Sequence, residues 1–155
     1  MNITDADPFA AARIGRLGSV STGLLILRLA VGLLLLEHGL PKLTDPSGFL
    51  ATVEGLGVPL PQVAGWLEIL GEVGLGLLIL LGLLTRIAGA LLAVMMGLVW
   101  ITVHAPLGFV WGQGFDGEAA LLLALLGVVL AFTGAGTWSV DAALGRRRRR
   151  RRLQA

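Results

Sequence analysis

The chain contains no cysteine. That absence excludes disulfides, iron–sulfur ligation, thiolate metal sites and thiol–disulfide chemistry together. Charge is scarce as well: Asp, Glu, Lys and Arg make up 14% of the 155 residues, where a soluble domain carries roughly a quarter. Histidine occurs twice, as His38 and His104. With so few redox-capable or metal-ligating side chains, the chain by itself cannot carry a conventional electron chain, and no metal site is expected.

What remains is apolar. Hydrophobic residues account for 55% of the chain, and the mean hydropathy is +0.86. This composition belongs to an integral membrane protein of one compact domain. Four apolar runs, at about 19–36, 63–83, 87–103 and 119–136, are each near the length a membrane span needs. The first is too long for a signal-peptide core, carries Arg28 at its centre and is followed by no small-residue cleavage site. The expected fold is all-α: an antiparallel four-helix transmembrane bundle over 19–141, preceded by a polar cytoplasmic segment, 1–18, and followed by a basic cytoplasmic tail, 142–155.

Charge placement orients the bundle. With both termini inside, Arg13, Arg16, Arg86 and the tail arginines put ten basic residues on the inner side, against Lys42 alone in the outer loops. Such a bias is the positive-inside pattern. The expected location is the bacterial cytoplasmic (inner) membrane, multi-pass, N-in and C-in. In the first outer loop Phe49, Leu50, Val53 and Leu56 fall on one helical stripe between prolines. They predict a short helix lying in the outer interface. The connection 84–86 is so short that the second and third spans form an antiparallel hairpin.

Two carboxylates interrupt the second span. Counting about 1.5 Å per residue from the expected span ends puts Arg28 and Glu72 each about 13–14 Å deep. Opposite charges at matching depth on neighbouring helices should pair, since an isolated charge there costs about 2.5–3.5 kcal/mol or more. Arg28–Glu72 is therefore expected as a buried ion pair, which could serve only to fix helix register. Glu68 lies about 6 Å from Glu72 on the same face. One arginine cannot neutralise two carboxylates, so either Glu68 is protonated, as a desolvated carboxyl beside another holds its proton more tightly, or it finds another donor nearer the outer side. Glu68 is thus the candidate catalytic, proton-exchanging group. His38, Lys42, His104 and Glu118 cluster at the outer level and are the candidate ligand-binding residues; each histidine alone reads equally as an interface residue. The glycines of the spans read as close helix packing. Arg146, Arg147, Arg148, Arg149, Arg150, Arg151 and Arg152 read as an anchor to anionic inner-leaflet lipid, at about 1 kcal/mol each; nucleic acid is not an expected partner.

The stretches "LRLAVGLLLLEHGLPKL", "LEILGEVGLGLLILLGLLTR", "GFDGEAALLLALL" and "GAGTWSVD", in this order and spacing, resemble the DoxX family of small four-span membrane proteins. The resemblance covers about 20–141 and rests on Arg28, His38-Gly39 with Lys42, Glu68, the Leu-Thr-Arg turn at Arg86, Gly117-Glu118 and the closing segment to Asp141. Ala135 and Val140 stand where the family commonly has Pro and Leu, and the arginine run lies outside its pattern. The resemblance implies a link to redox membrane complexes, since DoxD is a subunit of a thiosulfate:quinone oxidoreductase and other relatives are tied to oxidative-stress complexes. The expected function is then a membrane subunit of a quinone-linked oxidoreductase or other redox complex. Quinone is the expected non-covalent ligand, headgroup near the outer side, and a protein partner or a second copy completes the complex. As an enzyme it would be at most one subunit. The competing readings are a scaffolding subunit without chemistry of its own, a small proton-coupled transporter, and haem ligation by His38 and His104.

Overall fold

The computed structural model describes the backbone of residues 8–105, 109–110, 114–115 and 117–154, and the side chains of 20–105, 117–147 and 149–154. The segment 1–7, Asp116 and the side chains of Arg13, Arg16 and Arg148 lie outside the described residues.

α1 runs from Pro8 to Thr44 as one helix, well past the expected span end at residue 36. Pro41 sits inside its last turn. A proline there removes one backbone donor but leaves almost no helix to disrupt downstream. Thr44 then closes the helix by donating its hydroxyl to the Pro41 carbonyl at 2.8 Å, and Asp45 N–H donates to the same oxygen at 3.1 Å. α2, Pro46–Gly55, begins after a single intervening residue, with Pro46 in the first turn, where its missing N–H costs nothing. This is the short helix expected in the first loop. It packs on α3, Pro61–Leu81, with Val53 buried and Leu50 resting on Gly65.

α3 stops at Gly82, whose φ of +67° suits glycine. Gly82 N–H donates to the Ile79 carbonyl at 3.1 Å and Leu83 N–H to the Leu78 carbonyl at 2.9 Å, the left-handed stop that satisfies the last free carbonyls. α4, Thr85–Val99, follows at once and continues as a five-residue π-helical turn, Trp100–His104. A two-residue strand pair follows, β1 (Phe109–Val110) with β2 (Gly114–Phe115), Phe109 opposite Phe115. α5 spans Glu118–Thr133, and α6 spans Val140–Arg152.

The bundle is two tight helix pairs joined by the α3–α4 turn. α1 packs along α3, and α4 along α5, while α3 and α4 touch less extensively. Glycine decides both close approaches. A Cβ on Gly32 would come within 2.9 Å of the Gly76 carbonyl of α3, and one on Gly89 within 2.7 Å of the Gly127 carbonyl of α5. Small residues at such crossings let backbones approach where apolar side chains gain nothing by leaving lipid. Val31, Leu35, Leu75, Ile79, Leu92, Met96, Leu123 and Leu130 fill the interior.

Most other apolar side chains face outward. Val20–Thr44, Pro61–Leu81 and Thr85–His104 are long and apolar enough to cross a membrane, yet only 22–33% of their most apolar stretches is buried inside the molecule. Glu118–Thr133 is a shorter apolar helix. Helices apolar on their exposed faces are stable in lipid and not in water.

Candidate functional site

The polar side chains of the bundle gather at its two ends. At one end, the last turn of α1 brings Lys42 over α3. Its ammonium donates to Glu68 Oε1 at 3.0 Å and to Glu72 Oε1 at 2.8 Å. Glu68 and Glu72 are four residues apart and share a face of α3, so one ammonium can bridge both. The three differ in burial: the Lys42 and Glu68 side chains are 21% and 22% exposed, Glu72 only 5%. Glu72 reaches this burial because Gly39 of α1 leaves room, a Cβ there lying 2.8 Å from Glu72 Cβ. Phe49 of α2 covers the ammonium, its ring centre 4.3 Å from Nζ, a cation–π contact that also shields the charges from outside. Glu72 Oε2 is buried and finds no hydrogen-bond partner among the described residues. The cluster therefore holds one cation, two carboxyls and one unmet oxygen.

His38 stands one turn before Lys42. Its Nδ1 donates to the Leu34 carbonyl at 2.9 Å and lies 2.8 Å from Glu37 Oε2, all within α1, and its side chain is about half exposed. His104 sits elsewhere on the chain's path, at the end of the π-helical turn. Its imidazole lies against Gly117, where any Cβ would collide with the ring. Gly117 has φ +75° and opens α5, with Glu118 in the first turn. Lys42 and Glu68 are thus brought together, and His104 is brought to the corner that carries Glu118.

At the opposite end, Arg28 is 1% exposed. Its Nη2 donates to the Trp138 carbonyl at 2.7 Å. Its Nη1 packs against Gly82 so closely that a Cβ there would collide with it. The segment after α5 wraps this end. Asp141 accepts from Leu84 N–H at 2.8 Å and from Thr85 N–H at 3.0 Å, one carboxylate oxygen to each. It thereby caps the start of α4, where free donors and the helix dipole favour a negative charge. Asp141 N–H returns to the Gly82 carbonyl at 3.0 Å. The closing "GAGTWSVD" motif is a clasp holding α1, α3 and α4 together at one level.

The expected Arg28–Glu72 ion pair does not form. Arg28 faces Gly82 and Glu72 faces Gly39, so ten residues of α3, about 15 Å at 1.5 Å per residue, separate the two. The reason is the register of α1 against α3: with Gly32 beside Gly76 and Gly39 beside Glu72, Arg28 falls at Gly82, and the helix, continuing to Thr44, carries Lys42 level with the carboxylates. Lys42 as counter-charge was readable in principle, because positions 28, 35, 38 and 42 fall on one face of a helix by spacing. Asp141 had no such local signal, since its partners are more than fifty residues away in sequence.

Comparison with known proteins agrees with this architecture. The DoxX family model matches residues 23–105. The chain is 37% identical over 131 residues, 78% of its length, to an uncharacterized membrane protein of Mycobacterium tuberculosis, of which it covers 80%. It is 32% identical over 79% of its length to a Bacillus subtilis protein named "Putative oxidoreductase CatD", of which it covers 87%. An Escherichia coli inner membrane protein, YphA, is 38% identical over 63 residues, 41% of this chain and 45% of that protein. No solved structure shows a significant match.

Proposed function

The chain belongs to the DoxX family of membrane proteins, and from that premise we propose that it is a membrane subunit of a quinone-linked redox complex, with the quinone headgroup beside Lys42, Glu68 and Glu72. The observation that supports this is the buried charge imbalance: one ammonium shared by two carboxyls, with Glu72 Oε2 unmet. In a low-dielectric setting such a set carries a net negative charge unless it binds one proton. It can therefore take up or release one proton as its surroundings change charge. A quinone needs this on reduction to quinol, which takes two electrons and two protons: the cluster passes one proton, is refilled from water through the partly exposed Glu68, and passes the second. The ammonium N–H groups suit a carbonyl oxygen, and Glu68, the more exposed carboxyl, is the route for the proton. The electrons come from a partner redox subunit. The name of the Bacillus subtilis relative fits this reading.

The same reading places the protein in the bacterial cytoplasmic membrane with both termini inside. The ten-to-one distribution of basic residues supports that orientation, and the Lys42 cluster then opens toward the outer side.

Equilibrium binding of a short-chain quinone to the purified protein tests the proposal. Binding that weakens at least tenfold in Glu68→Gln supports it. Absent binding, or equal binding by both proteins, refutes it. A scaffolding role draws on a specific observation too: Lys42 already bonds both carboxyls within the chain. That role requires Glu68→Gln to leave every activity of the assembled complex intact.

A further inference from the structure

The redox reading leaves unused the largest charge concentration in the chain. Residues 146–152 are seven consecutive arginines, and they continue the helix that Ser139 caps by accepting from Ala142 N–H at 3.1 Å. Successive helix positions turn by about 100°, so seven of them cover the whole circumference. This part of α6 has no apolar face with which to dock on the bundle or lie in hydrocarbon. Among the described side chains, Arg146, Arg147 and Arg149 to Arg152 are exposed.

The foot of α6 is nevertheless rigidly held. Asp141 is bonded to Leu84, Thr85 and Gly82, and Arg28 to Trp138 next door. This is the level at which α3 ends and α4 begins, the end of two apolar spans. Trp138 is 66% exposed and Phe132 79% exposed at the same end, with Leu144 on the first turns of α6 exposed as well. Exposed tryptophan at the end of apolar spans marks the headgroup layer. Just beyond the foot, Arg146, Arg147 and Arg150 line one open recess with Ala143.

We propose that α6 is a binding site for anionic phospholipid, in which Arg146, Arg147 and Arg150 hold a headgroup phosphate while the clasp keeps them at headgroup level. Guanidinium suits this ligand because its planar fork meets phosphate oxygens two at a time. Arg152 lies six residues beyond Arg146, about 9 Å along the axis, close to one Debye length in physiological salt. Arg151 and Arg152 therefore feel the membrane field less, and Arg149, though nearer the foot than Arg150, lies outside the recess, so Arg146, Arg147 and Arg150, the proximal three, dominate over Arg149, Arg151 and Arg152, the distal three. Nucleic acid would also attract an arginine run, but it does not account for a foot fixed among interfacial aromatic side chains.

The test uses the full chain in mild, uncharged detergent and compares two variants of equal charge: Arg146, Arg147 and Arg150→Gln, and Arg149, Arg151 and Arg152→Gln. Phosphatidylglycerol is titrated in and the thermal unfolding midpoint is followed; the lipid-free midpoint reports that each variant folds. Phosphatidylglycerol should raise the wild-type midpoint, whereas phosphatidylcholine and inorganic phosphate should not. A surface arginine near anionic lipid contributes about a fivefold change in affinity, so the proximal triple change should weaken the response by up to about 100-fold and the distal one much less. Replacing the proximal three by Lys should restore only part of it. Equal losses in the two variants, or an equal response to phosphatidylcholine, overturn the proposal. So does an RNA oligonucleotide that binds through the proximal arginines to protein embedded in phosphatidylglycerol nanodiscs.

Discussion

Lys42→Met removes the ammonium that both carboxylates of α3 share. The Glu72 side chain is 5% exposed and bonds Lys42 at 2.8 Å, so the substitution leaves an uncompensated carboxyl in an apolar surround. Breaking a buried pair from one side costs about 3–5 kcal/mol in water-soluble proteins. Proton uptake by the abandoned carboxyl lowers that figure, and polar couplings measured within bilayers average about 0.6 and reach about 1.7 kcal/mol. A Lys42–Glu72 coupling of about 1–2 kcal/mol is expected, the upper part of the membrane range, because the contact is short and charged. The register of α1 against α3 puts Arg28 about 15 Å along the axis from Glu72, and sites that far apart add within about 0.5 kcal/mol. Two double-mutant cycles decide the matter: Lys42→Met with Glu72→Gln, and Arg28→Met with Glu72→Gln. Both are read by reversible unfolding in mixed micelles. The first double variant should be more stable than Lys42→Met alone, while the second should equal the sum of its parts. An Arg28–Glu72 coupling as large as that of Lys42–Glu72 would refute the register on which the whole site rests.

Three further outcomes follow from the packing. Gly82→Ala should lose more than about 2 kcal/mol in the same unfolding assay, because the position has φ +67° and the new methyl meets the Arg28 guanidinium and the Ser139 side chain. Asp141→Ala should cost about 1–2 kcal/mol through the lost cap of α4, and it should speed tryptic cleavage within 146–152, since the foot of α6 is released; unchanged cleavage would mean that the clasp does not hold α6. Gly89→Val should separate α4 from α5, because even a Cβ there would lie 2.7 Å from the Gly127 carbonyl oxygen and the Ala131 backbone nitrogen of α5. Gly74→Ala, which meets nothing within 4 Å, should be neutral or stabilising by up to about 1 kcal/mol; similar losses for both glycines would contradict the crossing described.

Much of the architecture was legible without coordinates, because a bilayer imposes simple rules. A span must be long, apolar and internally hydrogen-bonded, so the apolar runs, the hairpin at 84–86 and the membrane class could be read from composition. The stripe Phe49, Leu50, Val53 and Leu56 predicted α2, although Leu56 falls just past its end and is exposed, and Phe49 also covers Lys42, which its spacing does not announce. The ends of helices were harder. The first span was expected to end at residue 36, but a proline in the last turn breaks little, and α1 carries on through Pro41 to Thr44. The extra turns carry Lys42, fourteen residues or about 21 Å beyond Arg28 on the same helix, to the level of the carboxylates. The C-terminal motif could be matched to a family pattern, but its work as a cap on α4 depends on residues 84 and 141 meeting in space.

The amino-acid sequence thus determined by itself that this is a multi-span membrane protein, that two carboxyls lie within its second span and need neutralising, and that its cations concentrate in the run 146–152 outside the spans. Those properties follow from the cost of placing polar groups in hydrocarbon, which depends on residue type and run length alone. Which cation meets which carboxyl was decided only by tertiary structure. The glycine contacts between α1 and α3 set the register of the two helices, and each residue of slip moves a side chain by about 1.5 Å and 100° around the axis, so an ion pair that forms at one register is out of reach at the next turn.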